Sequence, residues 1–333
     1  MRKKTVTIID VAKAAGVSPA TVTHTLNAKR PVGKDTKQRV LEAIELLGYV
    51  PSWNASRMKR GNSGIIGCLA ADITETFVNQ IVRGVEKGLS GGEYSLFFVS
   101  GIEFGNDLER AYNFLKSHEV EGILFCHHIP LWEEFTLNTQ NSDIPIVSIN
   151  MAASDMISVV PDNTKGGYQA AEHLYGCGMR HPAMICGPEE RLSVQDRLKG
   201  FSDRIRELNL EIPEQKYYGK YDFNHGVEAA QSLMQDHPLT DGIFCANDYI
   251  AAGAISALQK MGYQVPSQVR VVGCDNRDFS EFWNVPITTF ELPLQEMGML
   301  GISLLKHAIQ TGTYSKIQHV LQAKLIPRES SMG

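Results

Sequence analysis

Between Val11 and Gly33 the chain carries no aspartate or glutamate, although Lys13, Lys29 and Arg30 bring positive charge. In that window Ala20, Thr21, Thr23, His24 and Asn27 are small or polar. Such a set can meet phosphate oxygens and base edges without repelling a polyanion. Other chemistries lack their signatures. No G-x-G-x-x-G follows the first apolar run, no Gly-rich loop ends in Lys-Ser/Thr, and no G-x-S-x-G turn occurs. His127-His128 has no further ligand at helical spacing. The expectation is therefore a chain with no nucleotide cofactor, no metal and no enzymatic nucleophile.

The elements that must hold the polar window are short helices. Thr7-Ile8-Ile9-Asp10 has the Thr-x-x-acid spacing of a capping box, and Val11, Ala12 and Ala15 continue it as a small apolar face. Gly16 suits the left-handed residue of a sharp helix-to-helix turn. Ser18 then caps a second helix and Pro19 fits its first position, with Val22 and Leu26 facing inward. A third helix, roughly 35–47, is expected to bury Val40, Ile44 and Leu47. Two short helices joined by a Gly turn and braced by a third make a helix-turn-helix.

Charge is divided along the chain. The net charge is −5, yet residues 1–61 hold 12 Lys/Arg against 4 Asp/Glu, and the remainder holds 20 against 33. A basic arm on an acidic body points to a polyanionic partner for the arm. No apolar run reaches the ~18 residues of a membrane span. Cys68, Cys126, Cys245 and Cys274 sit in short apolar runs without a C-x-x-C pair, as buried thiols of a reducing cytosol would. A cytoplasmic location is the expectation.

After Ser63, apolar runs such as GIIGCLA, GILFC, PIVSI, AMICG, GIFC and VRVVGC alternate with helical stretches of 10–15 residues. That alternation implies an α/β class with parallel sheets covered on both faces. Two rounds of it suggest two doubly wound subdomains, each with a crevice at its strand ends where ligands bind.

The run TIIDVAKAAGVSPATVTHTLNAKRPVGKDTKQRVLEAIELLGYVPSWNASRMKRG resembles the DNA-binding headpiece of the LacI/GalR family almost position by position. The resemblance implies that the second helix enters the major groove. Pro19, Ala20 and His24 then take the specificity positions, with Thr23 and Asn27 beside them. Thr7, Ser18, Thr21 and Thr36 complete the expected DNA contacts. The family's commonest pair there is Ser-Arg, so Thr23-His24 implies a shifted base preference. Residues 51–61 resemble the family's hinge, which folds when two copies pair over the operator centre. Asn54 and Ala55 would lie at the minor groove, and Met58 would replace the usual Leu wedge between two base steps.

The body resembles the type-1 periplasmic-binding-protein fold that this family uses as its sensor. The matching segments are ADITETF, VVPDNTKGG, GPEERLSVQDRLKGF, ANDYIAAGAISALQKMG and VVGCDN. The implied organisation is a headpiece at 1–50, a hinge at 51–61 and a sensor and dimerisation core at 62–333. Within the core, one subdomain takes 62–160 and 291–320, the other 161–290 and 321–333. The chain would cross between them near 161, 290 and 320, and end on a strand-like VLQAKLIPRE. The implied effector residues are Asp72, Phe77, Asn150, Arg191, Ser193, Arg197, Tyr221, Asn247 and Asp275. Arg197 can fork onto hydroxyls or a carboxylate, Asn247 offers a donor and an acceptor, and Asp275 accepts from hydroxyls. A cleft rich in Asp and Asn favours a sugar, whereas Arg191 with Arg197 also suits a purine or another anion. The function this implies is a homodimeric repressor of a near-palindromic operator, controlled by a small metabolite. A solute-binding protein would need export, and an enzyme would need a catalytic constellation.

Overall fold

Thr7 opens the first helix as its composition suggests. In the computed structural model the Thr7 hydroxyl accepts from Asp10 N–H at 3.4 Å, and the Asp10 carboxylate accepts from Thr7 N–H at 2.9 Å. The structure describes residues 6–27, 31–49, 62–70, 72–73, 76–105, 107–126, 144–153, 156–313 and 315–332. The expected hinge with Asn54, Ala55 and Met58, the pair His127-His128, and the side chain of Asn27 lie outside them. The chain divides into two compact units, Met1–Ser63 and Gly64–Gly333.

The first unit is a three-helix bundle of α1 (Ile8–Ala15), α2 (Pro19–Asn27) and α3 (Lys34–Leu47). Gly16 ends α1 at φ 64°, the left-handed conformation that turns the chain into α2. Val11, Ala12, Ala15, Val22, Val40 and Ala43 form its core. Leu26, Ile44 and Leu47 are only partly buried at the rim, because so small a bundle closes around Ala43 rather than around its larger neighbours. The third helix starts at Lys34, one residue before the expected boundary.

The second unit begins with β1 (Ile65–Ala70), α4 (Thr76–Gly88), β2 (Ser95–Ser100) and α5 (Leu108–Ser117). It continues through β3 (Gly122–Phe125), β4 (Ile146–Ile149) and β5 (Ile157–Pro161). Next come α6 (Asn163–Gly176), β6 (Pro182–Ile185), α7 (Leu192–Glu207) and α8 (Phe223–Asp236). Then follow β7 (Gly242–Cys245), α9 (Asp248–Lys260), β8 (Arg270–Val272) and α10 (Asp278–Phe282). Last are β9 (Thr289–Glu291), α11 (Leu294–Thr311), β10 (Gln318–Leu321) and β11 (Lys324–Ile326).

One sheet runs β10-β5-β4-β3-β1-β2 and is parallel throughout. A second runs β6-β7-β8, also parallel, and β9 and β11 form a separate two-stranded antiparallel sheet. Strands β1, β3, β4 and β5 are apolar along almost their whole length, as expected of strands covered on both faces. The expected terminal strand is two strands. Val320 and Leu321 belong to β10, which pairs in parallel with β5, whereas Lys324–Ile326 pairs antiparallel with β9. The two intervening residues carry the chain from the six-stranded sheet to the two-stranded one. Two further passages between the sheets occur at Asp162, between β5 and α6, and at Leu292-Pro293, between β9 and α11.

Helix packing fixes the edge of the cleft. Helices α6 and α7 touch backbone to backbone: a Cβ on Gly200 would run into the Thr164 carbonyl, and one on Gly167 into the Arg197 carbonyl. This close approach sets the two helix starts side by side. Among the described residues no helix is long and apolar enough to cross a membrane. All six cysteines are free, with Cys68 Sγ and Cys126 Sγ 3.3 Å apart.

Candidate functional site

On the first unit, the side chains of Pro19, Ala20 and Thr23 are exposed along α2, and His24 is half-buried beside them. Thr23 Oγ1 donates to the Pro19 carbonyl at 3.0 Å, so its proton is spent on the helix and its lone pairs face outward. Ser18 and Thr21 serve α2 itself. The Ser18 hydroxyl accepts from Thr21 N–H at 3.1 Å and lies 2.9 Å from Thr21 Oγ1. Thr7 is likewise engaged in its capping box. Thr36, in the first turn of α3, is half-buried. The exposed part of α2 is therefore the Pro19-Ala20-Thr23 face with His24 beside it, and neither α2 nor the turn before it bears a carboxylate.

On the second unit, the carboxyl ends of both sheets meet around a cavity of about 330 Å³. That is enough for a small metabolite, since such sites span ~300–1,000 Å³. The first sheet contributes Asn150, Met151 and Ala152 after β4, Val160 and Pro161 of β5, Phe77 of α4, and Gln318 and Val320 of β10. The second contributes three helix starts: Asp162–Thr164 at α6, Arg191–Ser193 with Asp196 and Arg197 at α7, and Asn247 with Tyr249 at α9. Tyr221, Asp275, Arg277 and Leu292 complete the lining. Eight of the nine expected effector residues thus line one cavity, and Asp72, in the turn after β1, is not among the described lining residues. Helix starts carry partial positive charge, so three of them converging favour acceptor-rich ligands.

The partners of these side chains decide what each can still do. Arg197 is 6% exposed; its Nε donates to Asn163 Oδ1 at 2.9 Å and its Nη1 to the Ala246 carbonyl at 2.5 Å. It braces the start of α6 against the end of β7. Asn247 caps α9, its Oδ1 accepting from Ile250 N–H at 2.9 Å, while its Nδ2 donates to the Tyr221 carbonyl at 3.4 Å. Its acceptor is therefore taken, which narrows the expected donor-and-acceptor role to the amide N–H. Asp162 caps α6 through Lys165 N–H at 2.9 Å and accepts from Gln322 Nε2 at 3.0 Å. The Tyr221 hydroxyl is bonded to Ser193, and burial holds it above the ordinary tyrosine range against the pull of Arg197.

Asp275 stands at φ 104° and Asn276 at φ 49°, both in the left-handed region. Asn276 tolerates that region, but Asp275 at 104° is strained. The strand supplies the compensation: Asp275 N–H donates to the Phe290 carbonyl at 2.9 Å, and Asn276 N–H to Thr289 Oγ1 at 3.2 Å. This kink turns the Asp275 carboxylate into the cavity. Burial raises its pKa, and the Arg197 and Arg277 charges pull it back. Beneath it Asp248 is fully buried and pushed up to about 7, first by burial and then by the Asp275 charge. Its carboxylate accepts from Thr289 Oγ1 at 2.5 Å and from Arg277 N–H at 2.7 Å.

Several lining residues escaped the sequence reading. Asp162 and Asn163 stand in the quoted VVPDNTKGG segment and precede a helix, a signal that could have marked them. Tyr249, Arg277, Gln318 and Val320 carry no comparable signal. They reach the cavity only because the chain returns to it from α9, β8 and β10.

Residues 7–52 match the model of the bacterial regulatory proteins, lacI family, and residues 171–331 that of a periplasmic binding protein-like domain. The HTH-type transcriptional repressor PurR of Haemophilus influenzae strain Rd is 32% identical over 305 residues, 91% of each chain. The ribose operon repressor of Halalkalibacterium halodurans is 30% identical over 328 residues, 98% of this chain and 97% of its own. Among solved structures, the lac repressor dimer bound to operator and the anti-inducer ONPF superposes with a TM-score of 0.87 at 23% identity. It covers 99% of this chain and 100% of its own, a likeness of fold.

Proposed function

The chain belongs to the LacI family of bacterial regulatory proteins, whose members are transcriptional regulators, and on that premise we propose that it is a ligand-controlled repressor. It binds a near-palindromic operator as a homodimer and takes a small sugar-class metabolite in the cleft. We assign residues 1–50 to operator binding, 51–61 to the hinge and 62–333 to sensing and dimerisation. The observation that carries the reading is the pairing of an acid-free α2 face in one unit with a polar, ligand-sized cavity in the other.

Pro19 and Ala20 offer apolar contact to a thymine methyl, while Thr23 and His24 offer hydrogen bonds to base edges. Two copies acting on one duplex require half-sites related by a two-fold axis. In the core, a ligand touching residues of both sheets binds the open and closed arrangements with different affinity. It shifts their equilibrium by that difference alone, typically ~1–3 kcal/mol. An inducer favours the arrangement that releases the operator, a corepressor the one that holds it. A purine is the second reading, favoured by Phe77 and Tyr221, two aromatic side chains lining the same cavity.

The test is selection of genomic fragments on the full-length protein at about 150 mM salt, followed by sequencing. A few near-palindromic sites should emerge, and their affinity should fall steeply between ~50 and ~200 mM salt. Equal recovery of all fragments, with and without candidate sugars and purines, would overturn the proposal. So would operator binding that survives deletion of residues 1–61.

A further inference from the structure

We infer that the effector carries an anionic group, a carboxylate or a phosphate on a hydroxylated carbon skeleton, and that Arg277 together with Arg191 recognises it. The inference rests on the cleft being the effector site.

Three guanidiniums line the cavity, those of Arg191, Arg197 and Arg277, and three carboxylates, those of Asp162, Asp196 and Asp275. Arg197 is committed to Asn163 and the Ala246 carbonyl. Asp162 is committed to its helix and to Gln322. Asp275 lies in the fields of both Arg197 and Arg277, and the buried Asp248 interacts with the same two arginines. Its Oδ2 is 3.6 Å from Arg277 Nε, an ion pair too long for a hydrogen bond. Consequently Arg277 Nε is buried with no hydrogen-bond acceptor. The Arg277 side chain is only 14% exposed, and its guanidinium lies 5.4 Å from the Tyr249 ring centre.

Arg191 is in the same condition. Its Nε is buried without an acceptor, and it forms no ion pair among the described residues. It also stands at the start of α7, a 16-residue helix that has no side-chain cap, unlike α6 and α9. A buried guanidinium N–H without an acceptor is rare in native proteins, and both of these belong to side chains that line the one cavity. A neutral hydroxyl can accept from a guanidinium, but the bond is weaker than one to an ionised acceptor. A carboxylate or phosphate brings acceptors only and matches the fork of the guanidinium.

The other half of the cavity asks for the opposite chemistry. Asp196 lies five residues further along α7, about 7–8 Å down its axis. Its carboxyl is held above the ordinary range first by burial and then by the charge of Asp162. The Asp196 carboxylate can accept a hydroxyl proton. A ligand with an anionic end and a hydroxylated body satisfies both ends of the cleft.

The experiment is a thermal-shift and calorimetric titration of the full-length protein with matched probes. These are D-glucose and D-galactose, their uronates, their 6-phosphates, inorganic phosphate, and hypoxanthine. At about 10 mM a charged sugar should raise the melting temperature more than its neutral parent. Uronate and 6-phosphate tell the two anions apart. Arg277→Gln should weaken the charged probe by about ten- to a hundredfold, as expected for a hydrogen bond to a charged group, and weaken its neutral parent by a clearly smaller factor. Arg277→Lys should recover part of the loss, and Arg191→Gln should reproduce it, which guards against a variant that fails to fold. The inference is overturned if a neutral sugar or hypoxanthine binds as tightly as any charged probe. Indifference to every charged probe overturns it too, as does a charged probe whose affinity survives both glutamine variants. These outcomes leave the operator selection untouched, so failure of the repressor reading shows separately.

Discussion

Replacing Arg197 by alanine removes a guanidinium that does structural work before any ligand arrives. Its Nε and Nη1 hold Asn163 Oδ1 and the Ala246 carbonyl at 2.9 and 2.5 Å. Each hydrogen bond from a charged donor contributes about 1.5–3 kcal/mol, so the pair contributes about 3–6 kcal/mol. Arg197 lines the cavity, so water can follow the truncation and restore part of that loss to the Ala246 carbonyl. The expected net destabilisation is about 2–4 kcal/mol. Arg197→Lys, which offers a point charge instead of a fork, should lose about half as much. The assay is urea unfolding of the full-length protein by circular dichroism, read as a midpoint shift at constant slope. Operator binding should persist in both variants, while the response to a cleft ligand is lost in Arg197→Ala. A destabilisation below about 1 kcal/mol would refute the bracing argument. If the ligand response vanished at unchanged stability, Arg197 would be a ligand contact alone.

Four shorter predictions accompany it. His24→Ala should relax base preference within each half-site, measured by binding to a library of single-base operator variants; an unchanged preference removes His24 from the readout. Met58→Ala should reduce operator affinity more than non-specific affinity, because only a kinked complex needs a wedge; equal losses in a competition assay count against it. Asp248, at about 7 in the fold against 3.8 unfolded, binds its proton more tightly in the native state. Its contribution to stability is therefore full below pH 3.8 and fades as pH rises towards 7, an effect of up to about 4 kcal/mol. Asp248→Asn should flatten that slope in unfolding curves taken across this window, and a parallel slope would refute the assignment. Gly200→Ala should destabilise by about 1–3 kcal/mol through overpacking and weaken cleft binding, since the Thr164 backbone blocks the new methyl. Unchanged melting would show that α6 and α7 separate easily.

Local signals in the chain were enough for the helix-turn-helix. Thr7 and Asp10 cap each other across three residues, Gly16 takes φ 64°, and Ser18 caps α2, all short-range interactions written in adjacent residues. The alternation of apolar runs and amphipathic stretches likewise specified α/β order, because a strand buried on both faces must be apolar along its length. The eight expected residues that share the cavity were reached through motif resemblance, since strand-end positions recur in a doubly wound fold.

What the tertiary structure alone decided is how groups distant in the chain share one space. Nothing near Arg277 announces that it reaches the cavity over Tyr249, or that Asp275 must answer to Arg197 as well. Asn247 offers a donor and an acceptor by type, but in the fold its oxygen caps α9. The terminal strand divided because Val320 and Leu321 pair with β5 while Lys324–Ile326 pairs with β9, a choice made by two sheets rather than by local propensity. Residue types state which interactions a side chain can make. Which it does make depends on desolvation and on the partners brought within about 3 Å, and only the folded chain sets those.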